Sequence, residues 1–469
     1  MKYSTIRWTV FICAVTLVFT FLSMPFVKAQ KNLTLYSMNN LAQSHYLNPA
    51  FSPAAKGYIG LPLGMHSIGA TNSGFTYNQL FKSRPQDDSL TIDAENVVRK
   101  LGKINFVSVE TRNELLGFGF KVKDMYFSFS ATNRLDVNFI YPKELIQFIV
   151  EGNGKSFIGE RASFNKLGVE ANSYMEYAIG FNKKVGVNEK LTVGGRVKLL
   201  SGIANIATKE SKLGIHTDET MFDLTVDGKM RVNSSGIKPF FDTTGTYNAI
   251  DAIKNAYSFK NIGIALDLGA TYQVTEKIAV NASLLDLGFI KWNEGNANFV
   301  SNDVNYTFSG VDAKKFFSDT TDSYWDQLED TLTTIFSANE NNDSYSNMLY
   351  TSFYIGGTYQ INDFLSTSAT IYNQIIRTSY RMGVALAANL RVRNWLTVTG
   401  KYSMYGRSFS NLGFGLCLSP GPFQLYVISD NVLGFGAQRS AKNFHINFGM
   451  NFLVGNKSQK GKKASTKIE

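Results

Sequence analysis

The chain has 469 residues, of which 44% are hydrophobic, 13% aromatic and only 18% charged, with 36 Phe, 23 Tyr, 39 Gly and 9 Pro. A mean hydropathy of −0.11 excludes a polytopic helical membrane protein, which needs several runs of about 20 apolar residues, and the few charges and many aromatics exclude a disordered chain. The net charge of +10 is concentrated at the ends: Lys2, Arg7 and Lys28 lie in the first 29 residues, and Lys457, Lys460, Lys462, Lys463 and Lys467 face only Glu469 in the last 15, leaving about +3 for the body. No element gathers a basic face, so no nucleic acid is expected as a partner.

Residues 1–29 read as a secretory signal peptide, with Lys2 and Arg7 before an apolar run from Trp8 to Met24 and Val27-Lys28-Ala29 at the cleavage position. An uncleaved membrane anchor is the alternative. Of the two cysteines, Cys13 lies in that run and Cys417 in the body, so the mature chain has no intrachain disulfide. His45, His66, His216 and His445 are far apart, no CxxC occurs, and neither a metal nor a cofactor is expected.

Residues 30–100 lack sustained alternation and are expected to form an N-terminal hatch or plug. From there to residue 454 the dominant signal is period 2. In 261–274, Ile262, Ile264, Leu266, Leu268, Ala270, Tyr272 and Val274 fall on one face, and small or polar residues fall on the other. A four-residue connection then leads to the alternating Ile278, Val280, Ala282 and Leu284. The pattern recurs at 114–122, 125–134, 173–182, 191–202, 350–361, 364–376, 380–391, 395–405, 411–419, 421–429 and 444–454. Such strands are longer than the usual 5–6 residues of globular sheets and match the 9–11 or so that a tilted strand needs to cross a bilayer. A soluble sandwich would carry more Lys and Glu on its second face. The reading is an all-β, antiparallel transmembrane β-barrel of about 14 strands, with 12 to 16 allowed, over residues 101–454.

Short joints at 123–124, 275–276, 362–363, 392–394 and Pro420 alternate with long segments at 135–172, 232–260, 291–349 and 430–443, the asymmetry of periplasmic turns and extracellular loops. Two loop stretches have helical spacing. Pro142–Val150 opens on a proline and precedes Gly152. Residues 322–338 align Trp325, Leu328, Leu332 and Ile335 inside an acidic segment, either packing on the rim or offering a site to a protein partner. Residues 455–469 form a basic tail expected to be disordered.

If the apolar faces meet lipid, Glu176, Arg196, Lys198, Asp267, Asn281, Arg381, Asn389, Lys401 and His445 point into the lumen, because a charge at mid-depth on the lipid side costs about 2–4 kcal/mol. The turn at 183–190 makes the strands of Glu176 and Arg196 neighbours, so these two are expected to pair. The lumen residues either satisfy one another and hold the plug or line a permeation route. Gly152-Asn153-Gly154-Lys155-Ser156 lacks the first P-loop glycine, having Ile149 there, and no GxSxG, HExxH or GxGxxG occurs. One strand histidine without a local partner leaves a wall-mounted hydrolase without support, so no enzyme is expected.

Leu47-Asn48-Pro49-Ala50-Phe51, Tyr58-Ile59-Gly60-Leu61-Pro62, Asn72-Ser73-Gly74-Phe75, Asp286–Trp292 and Gly421–Tyr426 resemble an uncharacterised outer-membrane barrel family of Bacteroidota, over essentially the whole mature chain. That family implies architecture and no activity. More distantly, Asn48-Pro49-Ala50 is similar to the box in the hatch of long-chain fatty-acid transporter-like barrels, shared by secretion-associated barrels. The resemblance implies a hatch in which Asn48 hydrogen-bonds within the lumen and Pro49 rigidifies the turn. The expected function is outer-membrane transport of a hydrophobic or small solute past this hatch. The alternative is a non-transporting scaffold or accessory barrel for secretion or surface display. Outer-membrane lipid surrounds the barrel in either case.

Overall fold

The computed structural model describes residues 32–455, apart from 61, 63, 85, 88, 187, 238–257, 309–337, 377–378, 406–407 and 437–438. The expected signal peptide, the loop helix over 322–337 and the tail from 456 lie outside the described residues.

The wall is built from β1 (Gly57–Gly60), β2 (Met65–Asn72), β3 (Ile104–Val122), β4 (Met125–Pro142), β5 (Gly168–Val185), β6 (Leu191–Thr217), β7 (Ile262–Gln273), β8 (Ile278–Trp292), β9 (Ser352–Gln360), β10 (Leu365–Ile376), β11 (Ser379–Arg393), β12 (Leu396–Tyr405), β13 (Ser408–Leu418), β14 (Phe423–Ser429) and β15 (Asn443–Val454). Each pairs antiparallel with its neighbours, and the sheet closes because β1 and β2 lie between β3 and β15. Gly57 faces both Phe120 and Val454, and His66 faces both Asn113 and Phe448. Since β1 and β2 are two halves of one stave, the barrel has 14 strands, and closure removes the unpaired edges an open sheet would expose.

The first stave is a correction to the expected hatch. Of residues 30–100, only 32–56 fill the lumen; 57–60 and 65–72 are wall, and the rest crosses the loop end as the helices Tyr77–Leu80 and Ala94–Lys100 around a small hairpin. The alternation that would have marked the stave is interrupted at 61–64, so neither half reaches spanning length by itself.

Outward positions form the apolar belt that alternation predicts. Phe118, Phe120, Ile179, Phe181, Val197, Leu199, Ile264 and Leu268 are exposed, while Gly119, Gly180, Arg196, Lys198 and Asp267 between them face inward. A continuous belt of this extent is stable only against lipid, and the barrel therefore spans a membrane. Among the described residues no helix is long and apolar enough to cross one.

Several strands run past the belt at the loop end. The 27 residues of β6 extend about 90 Å, and their far part pairs with Leu224–Ser235 and Arg161–Ser163, which continue into short strands at 298–301, 304–308 and 338–341. The expected helix at 142–150 is present as Lys143–Glu151, ended by Gly152 at a φ of +71° that suits glycine.

Candidate functional site

The lumen is occupied by residues 32–56, which fold as a short helix, Leu33–Ser37, and a 3-10 turn, Ala42–Tyr46. They contribute no strand to the sheet and are held by side chains of the wall. Three contacts fasten the segment at successive points.

The first involves Asp430, where the chain leaves β14. Its carboxylate accepts from the backbone N–H of Leu33 at 3.1 Å and of Thr34 at 2.7 Å, and from the Thr34 hydroxyl at 2.6 Å. These donors are otherwise unpaired at a helix start, where an anion is favoured. Lys401 supplies the counter-charge at 2.7 Å, and His445 Nδ1 lies 3.5 Å away on the other oxygen. Ser67 Oγ is 3.1 Å from His445 Nε2. Ser67, His445 and Asp430 have the order of a hydrolytic triad, but both oxygens of Asp430 accept from the plug, which makes the row a fastening.

The second joins Tyr46 and Gln43 to the opposite wall. Tyr46 donates to Glu114 at 2.7 Å, and Gln43 and Asn451 exchange hydrogen bonds at 2.7 and 2.8 Å. The guanidinium of Arg196 covers the Tyr46 ring at 4.7 Å from its centroid.

The third is the Asn48-Pro49-Ala50 stretch. Asn48 Oδ1 accepts from the Ala50 N–H at 2.9 Å, closing a local turn, while its amide donates to the wall carbonyls of Ala282 at 3.2 Å and Ala270 at 3.4 Å. Asn182 donates to the Pro49 carbonyl at 3.0 Å. The wall admits this close approach because Gly194 and Gly269 lie beneath it. A Cβ on Gly269 would fall 2.1 Å from Asn48 Oδ1.

The nine wall residues expected to face the lumen divide by partner. Asn281 accepts from the plug's Tyr36 hydroxyl at 2.6 Å, and Asn389 donates to the Ser37 carbonyl at 3.1 Å. Lys401 and His445 meet at Asp430. Glu176, Arg196, Lys198 and Asp267 join Arg134 and Asp286 in a buried cluster of three cations and three anions. Its shortest links are Lys198–Asp286 at 2.6 Å, Lys198–Asp267 at 2.7 Å and Arg134 with both Glu176 and Asp286 at 2.9 Å. Arg196 reaches Asp267 at 3.2 Å and Glu176 at 3.4 Å. The last pair is diagonal in register, since Arg196 faces Gly180, whose missing side chain leaves room for it. Arg381 stands apart, buried over the Phe106 ring at 3.5 Å.

Four partners were not singled out from the sequence. Arg134 follows the inward parity of β4 and was legible in principle, whereas Glu114 shares the parity of the outward Phe118 and Phe120 and turns inward only through a bulge between Glu114 and Leu116. Asp286 was hidden by the bulge where β8 loses parity, at a φ of +59°. Asp430 falls in a segment read as loop. Among the described residues no cluster of acidic, His or Cys side chains could hold a metal ion.

Two hollows flank the plug. One lies on its loop side, between Asn32 and the charged rows of β3 and β4. The other opens at the turn end beside Asn39, Asn40, Asn389 and Arg391.

Wall, belt and internal segment together define a plugged, membrane-spanning β-barrel. The chain belongs to the family of unknown function DUF5723, whose profile matches residues 49–430. No curated protein matches it. Solved structures similar to the chain include the toluene transporter TbuX of Ralstonia pickettii, at 10% identity over 89% of this chain and 93% of that one, TM-score 0.39. The toluene transporter TodX of Pseudomonas putida is similar at 12% identity over 92% and 94%, TM-score 0.39. A FadL homologue of Pseudomonas aeruginosa is similar at 11% identity over 90% and 94%, TM-score 0.36.

Proposed function

We infer that the protein is an outer-membrane transport barrel in which residues 32–56 close the lumen and shift to let a solute pass. One observation carries this reading: the segment separates two hollows yet adds no strand to the wall, being held by side-chain hydrogen bonds and by apolar packing such as Tyr36 stacked on Tyr354 at 4.7 Å. No ladder of backbone hydrogen bonds has to break for the segment to move, so displacement is easier than opening the sheet. The expected cargo was a hydrophobic or small solute. The charged rows beside the loop-side hollow favour a small polar one, because an apolar solute there would strip water from Glu110, Arg112 and Asp136 with nothing in return. The role is binding and passage, and no catalysis is assigned.

The test is planar-bilayer conductance of the refolded full chain and of a form lacking 32–56, which keeps the first wall stave intact. Larger steps in the shortened form support the reading. Absence of conductance in both forms ends it.

The alternative of an accessory barrel draws support from the sheet that projects at the loop end around the far half of β6, a surface suited to a protein partner. A stoichiometric partner recovered in mild detergent, lost when 224–235 is replaced by a short linker, supports that role.

A further inference from the structure

The wall of the loop-side hollow carries its charges in an unusual order. Across β3 and β4, Glu110 stands directly opposite Asp136, and Arg112 directly opposite Arg134. Like charges facing each other across a strand pair are destabilising, and a sheet built only for stability would alternate them. Here they form an acidic step and a basic step, two residues or about 7 Å apart along the strands. The basic step is unequally satisfied. Arg134 is neutralised by Glu176 and Asp286, whereas Arg112, half-buried, has no hydrogen bond or ion pair among the described residues. A further group lining the hollow is left incomplete: Gln374 is 3% exposed and its amide nitrogen donates to Ser352 at 3.3 Å, but its Oε1 has no partner.

We propose that this hollow is a binding site for a small zwitterion, an amino acid or short peptide, with the carboxylate on Arg112 and the ammonium between Glu110, Asp136 and Gln374 Oε1. The guanidinium offers the paired donors that a carboxylate accepts. An ammonium has three donors and no acceptor, which suits two carboxylates and an amide oxygen. A simple anion would use only the basic step and face repulsion from the acidic one. A simple cation would meet the reverse. A solute bearing both charges complements both steps and removes the two deficits at Arg112 and Gln374. The assignment rests on the transport reading above and names its substrate class.

The experiment is equilibrium binding, by calorimetry, of dialanine to the refolded full chain in detergent, against acetate and ethylammonium at matched ionic strength. Dialanine is expected to bind at least about tenfold more tightly than either single-charge probe, and Arg112→Gln to weaken it by about tenfold or more. Because no hydrogen bond or ion pair among the described residues depends on Arg112, its variant is expected to fold normally, shown by unchanged heat-dependent electrophoretic migration. Gln374→Leu is expected to lower affinity in the same direction, which provides an independent readout. Acetate or ethylammonium binding as tightly as dialanine overturns the proposal, as does undiminished binding in Arg112→Gln. Uptake of dialanine into liposomes is measured separately. Binding without uptake refutes transport and leaves the site standing, whereas uptake without selective binding refutes the site and leaves transport standing.

Discussion

Gly194 and Pro49 are in such close contact that a Cβ built on the glycine would lie 2.4 Å from the Pro49 carbonyl carbon and oxygen. The hydrogen on Gly194 is what lets a proline-rigidified turn lie flat on a barrel wall. Substituting Gly194→Val therefore forces the turn away instead of reshaping the wall, whose strand is paired on both sides. The variant is expected to lose about 1–3 kcal/mol of stability, as overpacked sites do, and to show more frequent open steps in planar bilayers. Unaltered conductance would mean that the turn does not restrain the plug.

Asp430 is expected to be the strongest single fastening. In Asp430→Asn the buried ammonium of Lys401 loses its counter-charge, and breaking a buried pair in this way costs about 3–5 kcal/mol. Urea unfolding should show that loss, and limited proteolysis should cut within 32–56 faster than in the parent. Adding Lys401→Met should recover part of the stability, since the uncompensated charge is then gone. Strict additivity of the two changes would mean that the residues do not interact.

Lys198 serves both Asp267 and Asp286. Lys198→Met leaves the buried cluster with three anions and two cations, which is expected to cost about 3–5 kcal/mol. It also makes the lumen more negative, so the reversal potential of any current across a salt gradient should move towards cation selectivity. A reversal potential identical to that of the parent would place the cluster away from the ion path.

At the loop end, Asp93 caps the helix Ala94–Lys100 by accepting from the Asn96 N–H at 3.3 Å, and it pairs with Lys82. The Lys82 hydrogen bond first, and the Asn96 N–H after it, hold the carboxyl below its usual range. A depressed carboxylate stabilises the folded segment above the ordinary value of about 3.9, and the contribution is lost as pH falls through the lowered one. Amide exchange over 94–100, corrected for its intrinsic pH dependence, should accelerate in that acid window. Asp93→Asn should remove the acceleration.

Parts of this molecule are legible in linear order because lipid imposes a strict rule on them. Thirteen of the fourteen staves reveal themselves through alternation, as Ile262 to Val274 does, since every second side chain must be apolar where the wall meets hydrocarbon. Beyond the belt that constraint ends. The loop-end half of β6 continues as a strand with both faces wet or packed on other protein, so 203–217 lacks a clean period, whereas Leu135, Val137 and Phe139 of β4 still alternate with Asp136 and Asn138 in a stretch that was read as loop. The stave formed by β1 and β2 escapes for another reason, its break at 61–64, and what reads as one hatch is part plug and part wall.

The sequence by itself determined the barrel, the approximate strand number and which side chains are shut inside, because period 2 is a local property that a bilayer enforces residue by residue. Only the tertiary structure decided what those side chains meet. Thr34 and Asp430 are 396 residues apart, Arg134 reaches Asp286 through a bulge that breaks parity, and the order of charges across β3 and β4 depends on register. Pairings of this kind arise from barrel closure and from the fit of a short segment into the lumen, and no spacing along the chain encodes either.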